Sequence, residues 1–482
     1  MRGTLYGEIH QQLIKHSSNI CLVWPESDCA ASREIDSSTL LQQIEWYCDK
    51  IKHKNFKKGY PVLIAAAPSP EVVAAIASVM RLSGTAVLPP AQSGTKTIFR
   101  IVKQQKIKTV ILQRKPGVGM RILALILGLR FVILSDIMLK VNNNKQFNNI
   151  DDGSIAGEGG LITHSSGSTG VPKTILRPSI ILFAQHTALK EIFPPQQGQI
   201  DFPLFPNIIL HNLACGVKSV VPYIPGFDIT KMQPEKILLQ IQKDNIQTIT
   251  GNVFYCRQLL EHLKQHPTTF PAVRAIGIGG SPVPEYIIPA LEGYFPAAIF
   301  YVIYGSSEAE PIAVRKWDAT MCMPVDGYCV GEVYANLEMK INVTGDILLS
   351  NGKCVSVGEI VVRGAHVAVA SPDEWLHTGD FGYLNEKQLW LTGRKGNEKI
   401  HDGVQHYQVE HCLVHMPLVE NAAARSDDDG FTLFIQGTAD EKRIKQILYT
   451  QFKKIKINGI IFRNQLPLDK RHHSKIRYEL LS

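Results

Sequence analysis

The sequence contains no closely spaced pair of cysteines. Its nine cysteines, in a chain of 482 residues, include no C-x-x-C pair and no cluster with the spacing of zinc ligands. This pattern excludes the usual sequence forms of a structural zinc site and of a redox dithiol. We therefore expect reduced thiols and a cytoplasmic protein. Residues 1–13 lack the continuous apolar stretch of a secretory signal, which agrees with that expectation.

Long apolar runs are absent as well. The longest one, "ILALILGLRFVIL" from Ile122 to Leu134, is too short for a membrane-spanning helix and contains Arg130. The pattern predicts a buried helix followed by a strand. Contact between this segment and a membrane surface is the alternative that stays open.

No strong excess of one charge is present. The net charge is +8, and along the chain the basic residues look scattered, with the densest runs at residues 50–58 and 453–457. We therefore expect no nucleic-acid partner, which would need a concentrated basic footprint. A modest positive charge suits anionic small molecules such as nucleotides and coenzymes. Hydrophobic residues make up 45% of the chain, as in an ordinary globular protein with a large core.

Short apolar runs alternate with longer amphipathic stretches over the first two thirds of the chain. This alternation predicts an α/β fold with parallel-rich sheets flanked by helices. From about residue 313 the pattern predicts short strands and turns. After about residue 393 it predicts a compact mixture of helices and strands. We expect a large domain at 1–393 with a β-rich subdomain at about 313–393. A small mobile α+β domain is expected at 394–482.

The segment "THSSGSTGVPKT", Thr163 to Thr174, packs hydroxyl side chains, glycines and one lysine between two apolar runs. We expect it at a strand-to-helix turn, where backbone N–H groups, hydroxyls and the lysine can bind a phosphate. The Walker pattern is absent, so a different kind of phosphate loop or a solvated linker are the two interpretations. The candidate phosphate ligands are Ser165, Ser166, Gly167, Ser168, Thr169, Gly170 and Lys173.

Two later stretches have the residue types of a nucleotide site. "IGIGGSPVPE" ends a predicted strand with Gly279 and Gly280, which let the backbone approach a flat ligand. "YVIYGSSEAEP" brings together an aromatic ring, small residues and a carboxylate. In it, Tyr304 and Gly305 could contact a base, Ser307 a phosphate, and Glu308 a magnesium ion. When each stretch is considered alone, an ordinary turn with no ligand accounts for the same residue types.

Two more residues complete the set of candidates. Asp380 in "LHTGDFGYL" could accept hydrogen bonds from both hydroxyls of a ribose. Lys475, in the polar segment near the chain end, is a surface charge unless the other motifs surround it.

Six motifs stand in an order that resembles the adenylate-forming superfamily, which includes acyl-CoA synthetases, luciferases and the adenylation domains of peptide synthetases. The resemblance runs from about Pro61 to the end of the chain. Within the superfamily, "DFPLFPNIILHNLACGVKSVVP" and "RHHSKI" look most like the acyl-CoA-ligase-like branch that includes olefin-pathway β-lactone synthetases. The matching motifs are Ser165–Lys173, Gly279–Pro282, Tyr304–Glu308, Thr378–Asp380, Gly393–Arg394 and Lys475.

The resemblance implies a role for each motif. The first loop would bind the β- and γ-phosphates of ATP, and the glycine pair with Tyr304 would bind adenine. Ser307 and Glu308 would serve the α-phosphate and Mg²⁺, whereas Asp380 and Arg394 would bind the ribose. Lys475 would lie between the substrate carboxylate and the α-phosphate.

Three positions depart from the family pattern. Ser307 replaces the commoner threonine and keeps the hydroxyl. Gly396 stands where a hinge Asp or Lys is usual, and glycine can supply the backbone rotation of a hinge. His211 matches the family's acyl-pocket histidine only loosely, and a core histidine is the alternative.

The resemblance implies an AMP-forming ligase that converts a carboxylic acid, ATP and Mg²⁺ to acyl-AMP and pyrophosphate. We expect a medium- or long-chain fatty acid and transfer to coenzyme A (CoA). Transfer to an acyl-carrier protein and closure of a 3-hydroxy acid to a β-lactone are the open alternatives. A non-catalytic nucleotide-binding protein is a rival interpretation, which the presence of Glu308, Asp380 and Lys475 opposes.

Overall fold

Strands and helices alternate through the first half of the chain, as the apolar periodicity predicts. The computed structural model describes residues 3–26, 31–52, 56–90, 93–137, 159–165, 173–319, 324–469 and 473–481. The chain forms two compact units, residues 1–247 and residues 248–482. The predicted mixed α/β fold class is confirmed.

The described part of the first unit contains helices α1 to α8 and strands β1 to β10. In chain order they are α1 (Leu5–Lys15), β1 (Ile20–Pro25), β2 (Ser32–Asp36), α2 (Ser37–Ile51), β3 (Pro61–Ala65), α3 (Pro70–Arg81), β4 (Thr85–Val87), α4 (Thr95–Gln104), β5 (Thr109–Leu112), α5 (Val118–Leu127), β6 (Arg130–Ile133), β7 (Gly160–Ser165), β8 (Lys173–Pro178), α6 (Ser179–Ile192), β9 (Ile200–Pro203), α7 (Pro206–Cys215), β10 (Lys218–Val220) and α8 (Pro234–Lys243).

Two sets of paired strands organise this unit. Six strands pair in the order β6-β5-β3-β4-β7-β8, parallel except for the antiparallel pair β7–β8. Four more pair as β9-β10-β1-β2, and only β2 runs antiparallel to its neighbour. The main core of the unit combines side chains of α1, α2, α3 and α7 with side chains of β1 and β2 and of one face of the six-stranded sheet.

The described part of the second unit continues with helices α9 to α12 and strands β11 to β22. They are β11 (Thr248–Asn252), α9 (Val253–Gln265), β12 (Ala275–Gly279), α10 (Ile287–Glu292), β13 (Ile299–Tyr304), β14 (Ala313–Lys316), β15 (Tyr328–Val333), β16 (Glu338–Leu348), β17 (Cys354–Arg363), β18 (Leu376–Asn385), β19 (Gln388–Arg394), α11 (His406–Val414), β20 (Val419–Ser426), β21 (Phe431–Gly437), α12 (Glu441–Gln451) and β22 (Ile457–Phe462).

Nine strands of this unit pair in the order β16-β17-β18-β19-β15-β14-β13-β12-β11. The pairs among β11, β12 and β13 are parallel, and the pairs from β13 to β16 are antiparallel. The end of the chain forms a small α+β arrangement in which α11 and α12 pack with β20-β21-β22. The boundary at residue 394 and the mobility of the last segment stay predictions.

Local sequence signals fix where several helices begin. Ser69 accepts a hydrogen bond from the Val72 N–H, and Pro70 stands at the first helical position of α3. Asp36 and Asp440 cap α2 and α12 in the same way. A side-chain acceptor at this position satisfies one of the backbone N–H groups that a helix start leaves without a partner.

The longest apolar run forms a helix and then a strand, α5 and β6, as predicted. The expectation that this run is buried is wrong for the helix, since the side chains of Leu125 and Ile126 are 83% and 75% exposed. The strand does enter the core through Val132 and Ile133. Among the residues that the structure describes, no helix has the length and apolar character needed to cross a membrane.

Candidate active site

Two parallel strands end side by side in the nine-stranded sheet. β12 ends at Gly279, which lies opposite Ile303 of β13, and β13 ends one residue later at Tyr304. A Cβ atom on Gly279 would lie 2.6 Å from the Ile303 carbonyl oxygen, so glycine is required for this close approach. Gly280 follows in the left-handed region with φ +83°. Open α/β sheets bind ligands at the carboxyl ends of their parallel strands, which makes this edge a candidate site.

The Asp380 carboxylate joins this edge to two other strands. Asp380 lies opposite Arg394 across the antiparallel pair β18–β19, and Arg394 Nη1 donates to its Oδ1 at 2.8 Å. The Tyr304 hydroxyl donates to Asp380 Oδ2 at 2.9 Å. An ionised carboxylate offers about four acceptor positions, so about two remain for hydroxyl groups of a ligand.

The charge of Asp380 acts on both of its partners. It raises the pKa of the Arg394 guanidinium above its usual value. Burial, and then the Asp380 charge, raise the pKa of the Tyr304 hydroxyl well above its usual value. Arg394 therefore stays charged and Tyr304 stays a neutral donor at physiological pH.

A register shift in the β17–β18 ladder, of the kind a β-bulge makes, holds the backbone before Asp380. The Thr378 hydroxyl donates to the Ile360 carbonyl at 2.8 Å and accepts from the Asp380 N–H at 3.1 Å. Gly379 has φ +73°, and its carbonyl accepts from the Lys395 N–H at 2.7 Å. These bonds fix the backbone on either side of the Asp380 carboxylate and connect it to Lys395, the residue that follows Arg394.

One cavity of about 830 Å³ brings together six of the predicted residues of this unit. Its lining includes one or more residues from each of five motifs, namely Gly280, Tyr304, Gly305, Asp380, Arg394 and Lys475. These residues are up to 195 positions apart in the chain, from Gly280 to Lys475. The cavity is the observation that makes a single site out of motifs that are weak one by one.

Lys475 is held at the cavity by a buried carboxylate. Its N–H donates to Asp469 Oδ1 at 2.9 Å, and its carbonyl accepts from the Asp469 N–H at 2.9 Å. The Ser474 N–H also donates to Asp469 Oδ1, at 3.2 Å. Asp469 is only 4% exposed, so these bonds are shielded from water. These bonds fix the backbone of Ser474 and Lys475.

A hydrogen-bond network that was not predicted from the sequence connects Arg394 to Tyr478. The Arg394 N–H donates to His406 Nε2 at 2.9 Å, and His406 Nδ1 lies 3.1 Å from Glu410 Oε1. Since Nε2 accepts, Nδ1 carries the proton and donates. The Tyr478 hydroxyl lies 2.8 and 2.9 Å from the two oxygens of Glu410, and the Ala424 N–H donates to Oε1 at 2.9 Å. The i, i+4 spacing of His406 and Glu410 was the available signal.

Ser307 and Glu308 lie in the turn after β13. This turn closes through mutual backbone hydrogen bonds between Ser306 and Ala309, and the Glu308 carbonyl accepts from the Ala368 N–H at 2.7 Å. Both Ser307 and Glu308 are half-buried. Neither belongs to the described residues that line the cavity, although Gly305 does.

The phosphate-loop candidate differs from its predicted setting. Ser165 ends β7 and lies opposite Lys173, the first residue of the antiparallel strand β8, and α6 begins only at Ser179. The prediction of a strand-to-helix turn is therefore wrong, since the segment joins two paired strands. The residues between them, Ser166, Gly167, Ser168, Thr169 and Gly170 among them, lie outside the described residues.

His211 lies in a small cluster of the first unit. Its Nδ1 is 3.0 Å from Nδ1 of His186, and its Nε2 is 3.6 Å from Sγ of Cys215. Burial is the main cause that lowers the pKa of His186 to about 4 and of His211 to about 3, and that raises the pKa of the Cys215 thiol to about 11. The three side chains offer metal-ligand atoms within 4.8 Å of one another. The two nitrogens of His211 thus contact different partners, His186 on one side and Cys215 on the other.

Comparisons with known proteins agree with this geometry. The family model described as AMP-binding enzyme matches residues 38–370. The chain is 30% identical over 251 residues to the olefin β-lactone synthetase of Stenotrophomonas maltophilia, an alignment that covers 50% of this chain and 43% of that protein. The chain thus spans less than half the length of that relative.

Two more comparisons extend over most of the chain. The 2-succinylbenzoate–CoA ligase of Bacillus cytotoxicus is 23% identical over 417 residues, 81% of this chain and 80% of that protein. The solved O-succinylbenzoate coenzyme A synthetase of Bacillus subtilis, in complex with AMP, superimposes with a TM-score of 0.76 at 16% identity. That likeness covers 98% of this chain and 97% of the solved one, and it establishes the fold.

We predict that Tyr478→Phe destabilises the chain end. The change removes the hydroxyl that donates to the buried Glu410 carboxylate, and a lost bond to a charged group costs about 1.5 to 3 kcal/mol. The free energy of unfolding, measured by denaturant titration, should fall by that order. The matched control is Tyr449→Phe, since Tyr449 is 46% exposed on α12. Equal stability of the two variants would contradict the network.

We also predict that the histidine pair makes stability depend on pH. Both folded pKa values lie below the ordinary value of 6.5. The unfolded chain therefore binds more protons, and stability is full above about pH 6.5 and falls as the pH drops towards about 4. Between about pH 7.5 and pH 5, wild type should lose on the order of 4 kcal/mol more than His186→Gln/His211→Gln, about 2 kcal/mol for each imidazole.

The control for the pH measurement is His266→Gln, which removes an imidazole from an exposed position. This variant should keep the wild-type pH dependence of the free energy of unfolding. If the double variant loses as much stability as wild type over the same range, the two imidazoles are not held neutral by the fold.

Proposed function

The chain belongs to the AMP-binding enzyme family, and on that premise we propose that it activates a carboxylic acid with ATP and Mg²⁺ and passes the acyl group to CoA. The observation that carries this proposal is the shared cavity, which is lined by Gly280, Tyr304, Asp380, Arg394 and Lys475. These residues combine a flat-ligand surface, an acceptor for hydroxyls and two cations, which are the groups that an adenylate needs.

In the first half-reaction, an oxygen of the substrate carboxylate attacks the α-phosphorus of ATP. The bond from this phosphorus to the bridging oxygen breaks, and pyrophosphate leaves with the electron pair, so no protein nucleophile and no proton are required. Two anions must approach each other, and charge builds up on the equatorial oxygens of the transition state. Lys475 is the cation that we assign to stabilise this charge.

The nucleoside part of ATP has its own set of partners in this proposal. Asp380 accepts from the ribose hydroxyls through the acceptor positions that Tyr304 and Arg394 leave available. Gly280 and the ring of Tyr304 contact adenine. The described ends of the phosphate loop, Ser165 and Lys173, belong to the segment that we assign to the β- and γ-phosphates.

The metal proposal rests on the donor chemistry of the turn after β13. Glu308 offers the hard carboxylate oxygens that Mg²⁺ prefers, and Ser307 adds a hydroxyl beside it. Both residues are half-buried and follow Tyr304 within four positions. When bound, Mg²⁺ would neutralise charge on the phosphates.

Two further assignments concern the substrate acid and domain motion. We assign His211 to the pocket for the acid, where a neutral imidazole tolerates an apolar chain. We assign the hinge to Gly396, which is exposed and has φ +91°, and where an added Cβ would meet no atom within 4 Å. A residue with open space around it and glycine's conformational range is suited to a backbone rotation.

The acid and the acceptor of the acyl group are the least constrained parts of the proposal. We propose a medium- or long-chain fatty acid as the substrate and CoA as the acceptor. The choice of CoA is supported by the 2-succinylbenzoate–CoA ligase that aligns with most of this chain. Closure of a 3-hydroxy acid to a β-lactone is the second candidate. The observation that favours it is the 30% identity to an olefin β-lactone synthetase.

We predict that Lys475→Ala abolishes exchange of pyrophosphate into ATP but leaves ATP binding largely intact. The lysine acts on charge that develops in the transition state, and removal of such a donor lowers the rate by about 100-fold or more. Asp380→Ala should instead weaken ATP binding, by about 10-fold or more, because a charged acceptor of ground-state hydrogen bonds is lost.

The matched control for these variants is Lys453→Ala, which removes an exposed lysine from the same chain end. It should bind ATP and exchange pyrophosphate like wild type. Exchange should be measured with a panel of fatty and 3-hydroxy acids, and ATP binding by calorimetry. Unchanged exchange by Lys475→Ala, or no exchange with any acid from folded wild type, would contradict the proposed first half-reaction.

We further predict that a fatty acid, ATP and CoA yield a thioester. The measurement is mass analysis of products from a 3-hydroxy fatty acid and ATP, with and without CoA. A CoA-dependent thioester supports the lead proposal and removes the second candidate. A lactone that forms without CoA, together with no thioester when CoA is present, would overturn the lead.

A further inference from the structure

The positive charge of this protein is concentrated in one stretch of the first unit. Residues 94–135 contain nine basic residues and no acidic one, and outside this stretch the chain has one more acidic than basic residue. All nine side chains are exposed. The scattered appearance along the sequence hid this excess, because only two of the nine are adjacent. The nine are Lys96, Arg100, Lys103, Lys106, Lys108, Arg114, Lys115, Arg121 and Arg130.

The same stretch exposes a row of large apolar side chains on α5. Leu125, Ile126 and Val118 are 83%, 75% and 73% exposed, and Ile122 and Met120 are 55% and 42% exposed. Burial of these side chains away from water would be favourable. Single exposed apolar residues are ordinary, but five on one ten-residue helix mark an interaction surface.

The topology of the six-stranded sheet brings α4, which contains three of the basic residues, and the apolar helix α5 to one side. The connection from β3 to β4 runs one way across the sheet, and the connections from β4 to β5 and from β5 to β6 run the other way. Since such crossovers are right-handed, α4 and α5 lie on the same face and α3 on the opposite one.

The packing of the sheet agrees with this assignment. Val110 of β5 packs with Ile101 and Val102 of α4, whereas the neighbouring Ile111 belongs to the core on the α3 side. The basic side chains of α4 and the apolar side chains of α5 are therefore presented by one layer of the unit.

Two basic side chains donate hydrogen bonds to backbone carbonyls at the two ends of α5. Lys108 Nζ donates to the Leu127 carbonyl at 2.8 Å, where a cation meets the carbonyl end of α5. Arg121 Nε donates to the Pro116 carbonyl at 3.0 Å, which fixes the turn before the helix. These bonds hold α5 in place with its apolar side chains still exposed.

We propose that α5, with the basic side chains around it, docks on the surface of an anionic lipid bilayer. The lipid acyl chains would receive the apolar side chains, and anionic headgroups would meet the cations next to them. A ten-residue helix is about 15 Å long, so it would lie in the interface and not span the bilayer. A polyanion such as DNA would use the cations but leave the apolar row without a role, which favours the lipid surface.

The test is sedimentation of the full chain with vesicles of phosphatidylcholine, alone or with about one third phosphatidylglycerol. We expect binding only to the anionic vesicles, and weaker binding as salt is raised. Leu125→Gln/Ile126→Gln and Arg114→Gln/Lys115→Gln should each reduce binding by about 10-fold or more. All four side chains are exposed, so the variants should fold, which thermal unfolding checks.

Two matched controls accompany the variants. Leu176→Gln removes an apolar side chain that is 50% exposed on β8, and Lys453→Gln/Lys454→Gln removes two exposed cations elsewhere. Both should bind the vesicles like wild type. Pyrophosphate exchange, which uses other residues, should be unchanged in every variant, so a failure of docking and a failure of the proposed reaction are separate results.

Several outcomes would overturn the proposal. They are no binding to anionic vesicles, equal binding to both vesicle types, and wild-type binding by both α5-side variants. Binding to duplex DNA that is tighter than to vesicles and unaffected by Leu125→Gln/Ile126→Gln would identify a polyanion surface instead. A dimer that this pair dissociates, without vesicle binding, would identify a second copy of the chain as the partner.

Discussion

The candidate site depends on one carboxylate that three strands share. Asp380 on β18 accepts from Arg394 on β19 and from Tyr304 at the end of β13. Without this acceptor, a buried tyrosine hydroxyl and a guanidinium would lose their partner, and an unpaired buried polar group is costly. The same carboxylate keeps acceptor positions for a ligand, so a single group both stabilises the site and prepares it for a ribose.

The chain end is tied to that carboxylate through its neighbour. The N–H of Arg394 donates to His406, which donates to Glu410, and Glu410 also accepts from Tyr478. Lys475 lies three residues before Tyr478 and lines the same cavity as Arg394. The hydrogen bonds thus connect Arg394, the proposed ribose partner, to Tyr478, which lies three residues after the proposed catalytic cation.

Sequence reasoning succeeded where the signal is local and failed where it is long-range. The glycine pair at the end of β12 was predicted because a close approach of strands and a left-handed residue both favour glycine, which the local sequence shows directly. The bond between Glu410 and Tyr478 joins residues 68 positions apart, and no local pattern indicates it. The phosphate loop was assigned to the start of a helix because the apolar spacing after it is helical, but the six intervening residues pair as a strand. The exposure of α5 was not predicted, because an apolar run indicates a buried segment when only the sequence is considered. The sheet topology is needed to show that this helix lies on an outer face.

The central claim is that the cavity lined by Tyr304, Asp380, Arg394 and Lys475 binds an adenylate. Hydrogen–deuterium exchange of the full chain, with and without AMP, tests this claim most directly. AMP should slow exchange at the end of β13, in the part of β18 that contains Asp380, and around Arg394. Unchanged exchange in these three segments at saturating AMP, or protection confined to other parts of the chain, would contradict it.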